Sequence, residues 1–343
     1  MKKLLIASPL LWALLFYSCR PAVPPSQKNS ADTLAGGDII NPQVKAFTGK
    51  IAADPGNPEN YFLRGNVFLQ LDDIKSAFAD VSKAISLDST NLNYYFAIAD
   101  IYLKGGSADG AIDALNTIIR LDPKNKEAFL KLSKVYYYKK DYENSMKRLA
   151  ELQELDKENV ELYFIRGLNL KEMGDTAHAL ASFQKAVQLN PDFYDAYMQL
   201  GLLTSKHPGP LAPQYFDNAI RIDSTSTEAY YDKGKFYQDH KNYEKAKEAY
   251  RELIVKNPQY DKAYFNLGFI YSEQDSVDKA YKMFDYAIKV SPAYAEAYYY
   301  RGLCSLEQGN KEQAAADFRQ ATSLKPNYEA AQKELNNLSG TSN

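Results

Sequence analysis

The chain has 343 residues, with 41 basic and 43 acidic side chains and a formal charge of -2. This balance provides no basic field for nucleic acid or an anionic membrane surface, so neither is expected as a partner through charge. Two cysteines and three histidines, without metal-ligand spacing, exclude a disulfide framework and predict no metal site and no cofactor.

The N-terminus carries an export pattern. Two lysines are followed by an apolar run over residues 4–17, which is too short to span a bilayer comfortably. The run ends in Ser18-Cys19, which resembles the lipobox of bacterial lipoproteins, although Phe16 departs from its usual aliphatic residue. The resemblance implies that residues 1–18 are a signal peptide and that Cys19 is lipidated. A plain secretory signal that happens to contain Cys19 is the alternative.

Residues 19–37 are rich in Pro, Ser and Gly and predict a disordered tether. A tether between acyl chains and a folded domain is typical of a lipoprotein. By resemblance, we expect an anchor in the outer membrane with the folded part facing the periplasm. Arg20 does not match the Asp that retains many lipoproteins at the inner membrane, and the choice between inner membrane, outer membrane and cell surface stays open.

A helix is predicted over residues 41–54, within an N-terminal capping half-repeat at 38–57. From residue 58 a small residue recurs every 34 residues, with one step of 33, which predicts eight repeats over 58–328. A capping helix and tail follow at 329–343. The recurring small residues are Gly65, Ala99, Ser133, Gly167, Gly201, Gly234, Gly268 and Gly302.

Each repeat also has an aromatic residue four positions before its small residue, a second small residue near its middle, and in most cases a closing proline. This pattern resembles the tetratricopeptide repeat. The resemblance implies an all-α fold, a right-handed α-solenoid of about eight helix-turn-helix repeats with a C-terminal capping helix. It also implies a binding protein and not an enzyme, and no nucleophile, base and orienting group can be assembled from the sequence.

The fifth repeat departs from the pattern, because residues 206–213 form a proline-rich turn that is one residue short. There are two interpretations. The first is a repaired deletion with a stiffened loop, and the second is a local change in superhelical pitch or a partner contact.

In tetratricopeptide repeats the inner, concave face of the first helices binds partners. Transferring that register predicts a partner-binding ladder that is largely apolar, while plain packing of the same rings is the alternative. Lysines near its middle suggest a peptide with acidic residues. The predicted partner-binding residues are Phe62, Asn66, Phe96, Asp100, Leu130, Lys134, Phe164, Met198, Tyr231, Lys235, Phe265, Phe269 and Tyr299.

These features predict a membrane-anchored, periplasm-facing adaptor that binds other envelope proteins or their peptide segments. The membrane contact would be made through the lipid anchor only. An aromatic inner face could instead bind peptidoglycan or another cell-wall glycan, which is the alternative function.

Overall fold

A computed structural model describes residues 41–340. The predicted signal peptide, Cys19 and the whole predicted tether at 19–37 lie outside the described residues, so these expectations stay predictions. The chain divides into two compact units, which meet in sequence between Gly174 and Asp175. Both are built only of helices and loops within the described range, which confirms the predicted all-α class. Over residues 41–340, no helix is long and apolar enough to cross a bilayer.

The N-terminal unit contains eight helices within the described part of the chain. Each packs against the next, and α2 also contacts α4, as α6 contacts α8, so the first helices of neighbouring repeats lie side by side. The helix α1 occupies the segment predicted to cap the array. The helices are α1 (Pro42–Ala53), α2 (Pro58–Gln70), α3 (Ile74–Leu87), α4 (Leu92–Lys104), α5 (Ala108–Leu121), α6 (Lys126–Tyr138), α7 (Tyr142–Leu155) and α8 (Val160–Glu172).

The C-terminal unit continues the pattern up to residue 340. Consecutive helices again pack together, and α14 contacts α16. The helix α18 occupies the segment predicted as the closing helix. The helices are α9 (Thr176–Leu189), α10 (Tyr194–Thr204), α11 (Leu211–Ile222), α12 (Thr227–Asp239), α13 (Tyr243–Lys256), α14 (Asp261–Glu273), α15 (Val277–Val290), α16 (Ala295–Glu307), α17 (Lys311–Leu324) and α18 (Glu329–Ser339).

Side-chain caps define the starts of the first helices in the N-terminal unit. The N-cap positions of α2, α4, α6 and α8 are all asparagine, and each side-chain oxygen accepts a hydrogen bond from a backbone N–H of the first turn. Such caps satisfy donors that have no partner within the helix. The four residues, at the period of the repeat, are Asn57, Asn91, Asn125 and Asn159.

The turn inside each regular repeat needs one residue in the left-handed backbone region, seven positions after the small residue. In the N-terminal unit these φ angles are 66° at Asp72, 80° at Gly106 and 61° at Lys140. In the fifth repeat this position is Pro208, whose ring fixes φ at a negative value. The proline therefore forbids the regular turn, and α10 ends early at Thr204 while α11 begins only at Leu211.

The rerouted turn of the fifth repeat borders a cavity of about 490 Å³ inside the C-terminal unit. Gly209 stands three residues before the second small residue, where Ile74 and Val277 of other repeats carry apolar side chains packed in the core. The cavity lies between this glycine and the end of α12, where Phe236 and His240 form its other wall. The loss of a side chain at the turn thus leaves a gap between neighbouring repeats.

Glycine and an aromatic ring are matched in the core of the C-terminal unit. A Cβ atom added to Gly268 would lie 2.7 Å from Cε1 of the buried Phe284, and a Cβ added to Gly302 would lie 2.7 Å from Cε1 of Phe318. In the second repeat, Ala99 and Leu115 occupy the equivalent positions and share one core cluster. Where the second helix of a repeat has the larger side chain, phenylalanine, the first helix has the smaller residue, glycine. The total volume is thus conserved, as close-packed interiors require.

Candidate partner-binding face

The predicted partner-binding residues all lie on first helices, and we call this surface of each unit its first-helix face. Two of the predicted residues, Phe164 and Met198, are buried, with 7% and 4% of their surface exposed. These two side chains are packing residues, and the prediction of an open apolar position is wrong there. The others are half-buried. They lie on α2 (Phe62, Asn66), α4 (Phe96, Asp100), α6 (Leu130, Lys134), α12 (Tyr231, Lys235), α14 (Phe265, Phe269) and α16 (Tyr299).

In the N-terminal unit, the first-helix face is joined from one repeat to the next by ring and charge contacts. The Phe62 ring lies 4.9 Å from the Tyr94 ring, measured between centroids. Lys131 Nζ lies 5.2 Å from the centroid of the Phe96 ring and 3.1 Å from Oδ1 of Asp100. Phe62 and Phe96 therefore pack against the next repeat and still leave part of their surface exposed, so packing and binding are compatible.

Lysines on the first-helix faces are largely neutralised by neighbouring carboxylates. Lys134 forms an ion pair with Glu161 of α8, and Lys235 forms one with Asp239 on its own helix. Exposed pairs of this kind contribute little to stability, but they reduce the net positive charge that a ligand meets. The expected preference for acidic residues in a partner therefore gains no support from these positions.

The C-terminal unit carries a second row of aromatic rings that sequence reasoning missed. Tyr260, Tyr294 and Tyr328 stand at the N-cap positions of α14, α16 and α18, where the N-terminal unit has asparagine. The Tyr260 ring lies 5.6 Å from that of Tyr231. In the next two repeats, the Tyr294 ring is stacked at 5.0 Å on Phe265, and the Tyr328 ring lies 5.1 Å from Tyr299. The signal was available, because these tyrosines recur every 34 residues, and the first two stand eight positions before the small residues Gly268 and Gly302.

Carboxylates accompany these rings and change the electrostatics of the face. Burial, helped by the nearby Glu228, raises the pKa of Asp232 to about 6. Burial also raises the pKa of Tyr260 to about 12, with Tyr231 and Asp232 adding to the effect. The phenol groups therefore stay protonated near neutral pH and the face carries carboxylate charge that is poorly solvated.

Metal-ligating side chains are not grouped together in the described part of the chain. Residues 41–340 contain no group of three or more His, Cys, Asp or Glu side chains that could hold a metal ion. Two histidines are held by local contacts, since His178 Nδ1 lies 2.8 Å from Asp175 Oδ2, and His240 Nδ1 lies 2.8 Å from the carbonyl oxygen of Phe236. What the faces offer is noncovalent binding by rings and charges.

Consecutively packed helix pairs at a fixed period, with a face of first helices, define a helical-repeat protein. The chain belongs to the tetratricopeptide repeat family. Three family models with that description together cover more than half of the chain and match residues 96–159 and 270–329, residues 160–193, and residues 58–91 and 227–254. Tetratricopeptide repeats suggest a scaffold for protein–protein interactions, a fold that is generally non-catalytic.

Three solved structures are similar to parts of the chain. The C-terminal part of a TPR repeat-containing protein from Cytophaga hutchinsonii is 21% identical, covers 71% of this chain with 99% of its own length matched, and has a TM-score of 0.63. A tetratricopeptide repeat protein from Parabacteroides merdae is 21% identical over 72% of this chain and 98% of its own length, with a TM-score of 0.48. MamA is 25% identical over 49% of this chain and 95% of its own length, with a TM-score of 0.43. Among curated proteins, none matches the chain significantly.

Proposed function

We propose that this protein is a membrane-anchored scaffold of the bacterial envelope. Its repeats would face the periplasm and bind other proteins through their first-helix faces. The observation that carries the proposal is the half-buried row of rings on those faces, in a fold that suggests a scaffold for protein–protein interactions. A contiguous surface of partly exposed aromatic side chains is typical of a binding site.

The anchoring half of the proposal rests on the lipobox-like sequence that ends at Cys19. The composition of residues 19–37 predicts a tether, and a flexible chain of that length would span roughly 25 Å on average, enough to hold a folded domain clear of lipid headgroups. The acyl chains of a lipoprotein would supply the membrane affinity, because each buried CH₂ contributes about 0.8 kcal/mol.

The anchor is tested by replacing each of the chain's cysteines in turn and fractionating cells. Cys19→Ser is expected to move the protein from the membrane fraction to the soluble fraction. Cys304→Ser is the matched control, because Cys304 is a buried free thiol of the fold and should leave the distribution unchanged. Retention of the Cys19→Ser protein in membranes would contradict lipid anchoring.

The binding half is tested by crosslinked pull-down from intact envelopes. We would compare the wild type with a variant in which Phe62, Phe96 and Phe265 are changed to Ser. The control changes Phe78, Val255 and Tyr286 to Ser, which are exposed side chains on second helices at 38%, 80% and 47%. Both variants are checked for folding by circular dichroism. Partners should be lost from the first variant only, and loss from the control alone would move the binding site to the second helices.

A further inference from the structure

The C-terminal unit breaks a local rule that the N-terminal unit obeys. At the starts of α14, α16 and α18, which are every second helix, tyrosine replaces the asparagine cap, and Tyr260, Tyr294 and Tyr328 make no side-chain cap hydrogen bond. Loss of such a cap costs about 1 kcal/mol at each helix. Local rules are broken mainly where function requires it, so these tyrosines point to a role beyond folding.

The last of these tyrosines shows what the arrangement can bind. Lys325 Nζ lies 4.7 Å from the centroid of the Tyr328 ring and 2.7 Å from Oε1 of Glu296, on the first helix of the preceding repeat. A ring face and a carboxylate thus hold one ammonium group together. Both contacts favour a cation, through the ring quadrupole and through opposite charge.

The same ring and carboxylate recur two repeats earlier without the lysine. Tyr260 is the equivalent of Tyr328, and Glu228 is the equivalent of Glu296; Glu228 acts electrostatically on Tyr260. Asn257 stands at the position of Lys325. This repeat therefore has the two groups that receive a cation and no cation of its own at that position.

Asp232 adds a second carboxylate at this place. It lies in the middle of α12. Its charge helps to raise the pKa of Tyr260, and the charge of Glu228 helps to raise the pKa of Asp232 itself. Within residues 41–340, neither Asp232 nor Glu228 takes part in an ion pair or a side-chain hydrogen bond. A half-buried carboxylate without a counter-charge loses part of its hydration, which is unfavourable, and a cation from outside the chain would relieve that cost.

We propose that Tyr260, Glu228 and Asp232 form a binding site for a lysine or arginine side chain in an extended segment of a partner protein. This inference rests on the proposed function and specifies the chemistry of the partner. The ring would lie against the cation while the two carboxylates bind its N–H groups. The first-helix face of the C-terminal unit would thus prefer a partner segment that is basic.

The test uses the full chain and two short fluorescein-labelled peptides, one of alternating lysine and serine and one with glutamine in place of each lysine. Fluorescence anisotropy measures their affinities at low ionic strength. The lysine peptide should bind at least tenfold more tightly. Asp232→Asn should weaken its binding about tenfold. Glu312→Gln, an exposed acid at the start of α17, is the charge-matched control and should change nothing.

A gain-of-contact variant makes the test independent of lost folding. Asn257→Lys copies Lys325, so its ammonium should occupy the site from within and weaken binding of the lysine peptide as much as Asp232→Asn does. Circular dichroism confirms that both variants are folded. Failure of the lysine peptide to bind, equal affinity for the two peptides, or unchanged affinity in both variants would overturn the site. A native partner that still binds both variants through the first-helix face would overturn this site and leave the proposed function intact.

Discussion

Gly268 is the position at which the packing of the core is tested most sharply. A methyl group there would lie 2.7 Å from Cε1 of Phe284, a ring with no exposed surface. That ring is held by Tyr300, stacked at 5.5 Å, and by Phe265 at 5.6 Å. Overpacking a well-filled core costs about 1 to 3 kcal/mol. Replacing glycine in a helix returns about 1 kcal/mol, so Gly268→Ala should lower the free energy of unfolding by up to about 2 kcal/mol.

Urea unfolding followed by circular dichroism measures the change, and Gly49→Ala in α1 is the matched control. A Cβ at Gly49 meets nothing within 4 Å, so that variant should be stabilised by up to about 1 kcal/mol through helix propensity alone. The two variants should therefore change the free energy of unfolding in opposite directions, although both place alanine in a helix.

A second substitution identifies the ring as the cause. Phe284→Leu in the Gly268→Ala background recreates the Ala99 and Leu115 pair of the second repeat. The double variant should therefore be more stable than the sum of the single changes, with a coupling energy of about 1 kcal/mol or more. Additive effects, or a Gly268→Ala protein as stable as Gly49→Ala, would refute the size matching.

Three further predictions concern the turns, a buried ion pair and pH. Lys140→Gly relieves a left-handed backbone with φ 61° and should raise the free energy of unfolding by about 0.5 to 1 kcal/mol. Gly106→Ala at φ 80° should lower it by about 1 kcal/mol. Melting temperatures that shift equally in the two variants would contradict this. Asp317→Asn removes a buried carboxylate whose Oδ1 lies 2.6 Å from Nη2 of the half-buried Arg301, and it should lower the free energy of unfolding by about 2 to 3 kcal/mol. An unchanged urea midpoint would be the contrary result. The pKa of Asp232 is raised to about 6 in the folded protein and is about 3.9 in an unfolded chain, so its proton stabilises the fold below pH 4 and this contribution is lost as pH rises to 6. Asp232→Asn should therefore gain stability over wild type, by roughly 1 to 2 kcal/mol, between pH 4 and pH 6, and a difference that does not vary with pH would contradict the burial of this carboxylate.

Much of the fold could be predicted because the determinants are local and repeated. The small residues fix where two helices approach closely, and the closing prolines fix where second helices end. The helix predicted at 41–54 corresponds to α1 (Pro42–Ala53). The departure at the fifth repeat was also visible, but its cause required the structure. Only the φ angles show that Pro208 occupies the position where other repeats have a left-handed residue.

The candidate site could be predicted only in outline. Helical register places Phe62 and Phe164 on the same face, but the exposure of each depends on which neighbours cover it. Phe164 is buried and Phe62 is not. The pairing of Lys134 with Glu161 joins residues in different repeats, which charge patterns along one helix do not reveal.

The most direct test of the central claim, that the first-helix face binds partners, is site-specific photocrosslinking in living cells. A photoreactive amino acid would be placed at Lys235 on the first-helix face or at Tyr286 on a second helix. The Lys235 side chain is 45% exposed, and Tyr286 is 47% exposed as a whole residue, so solvent reaches both positions. We expect a defined protein adduct from position 235 and none from position 286. Adducts from 286 with none from 235 would place the binding surface on the second helices and contradict binding by the first-helix face.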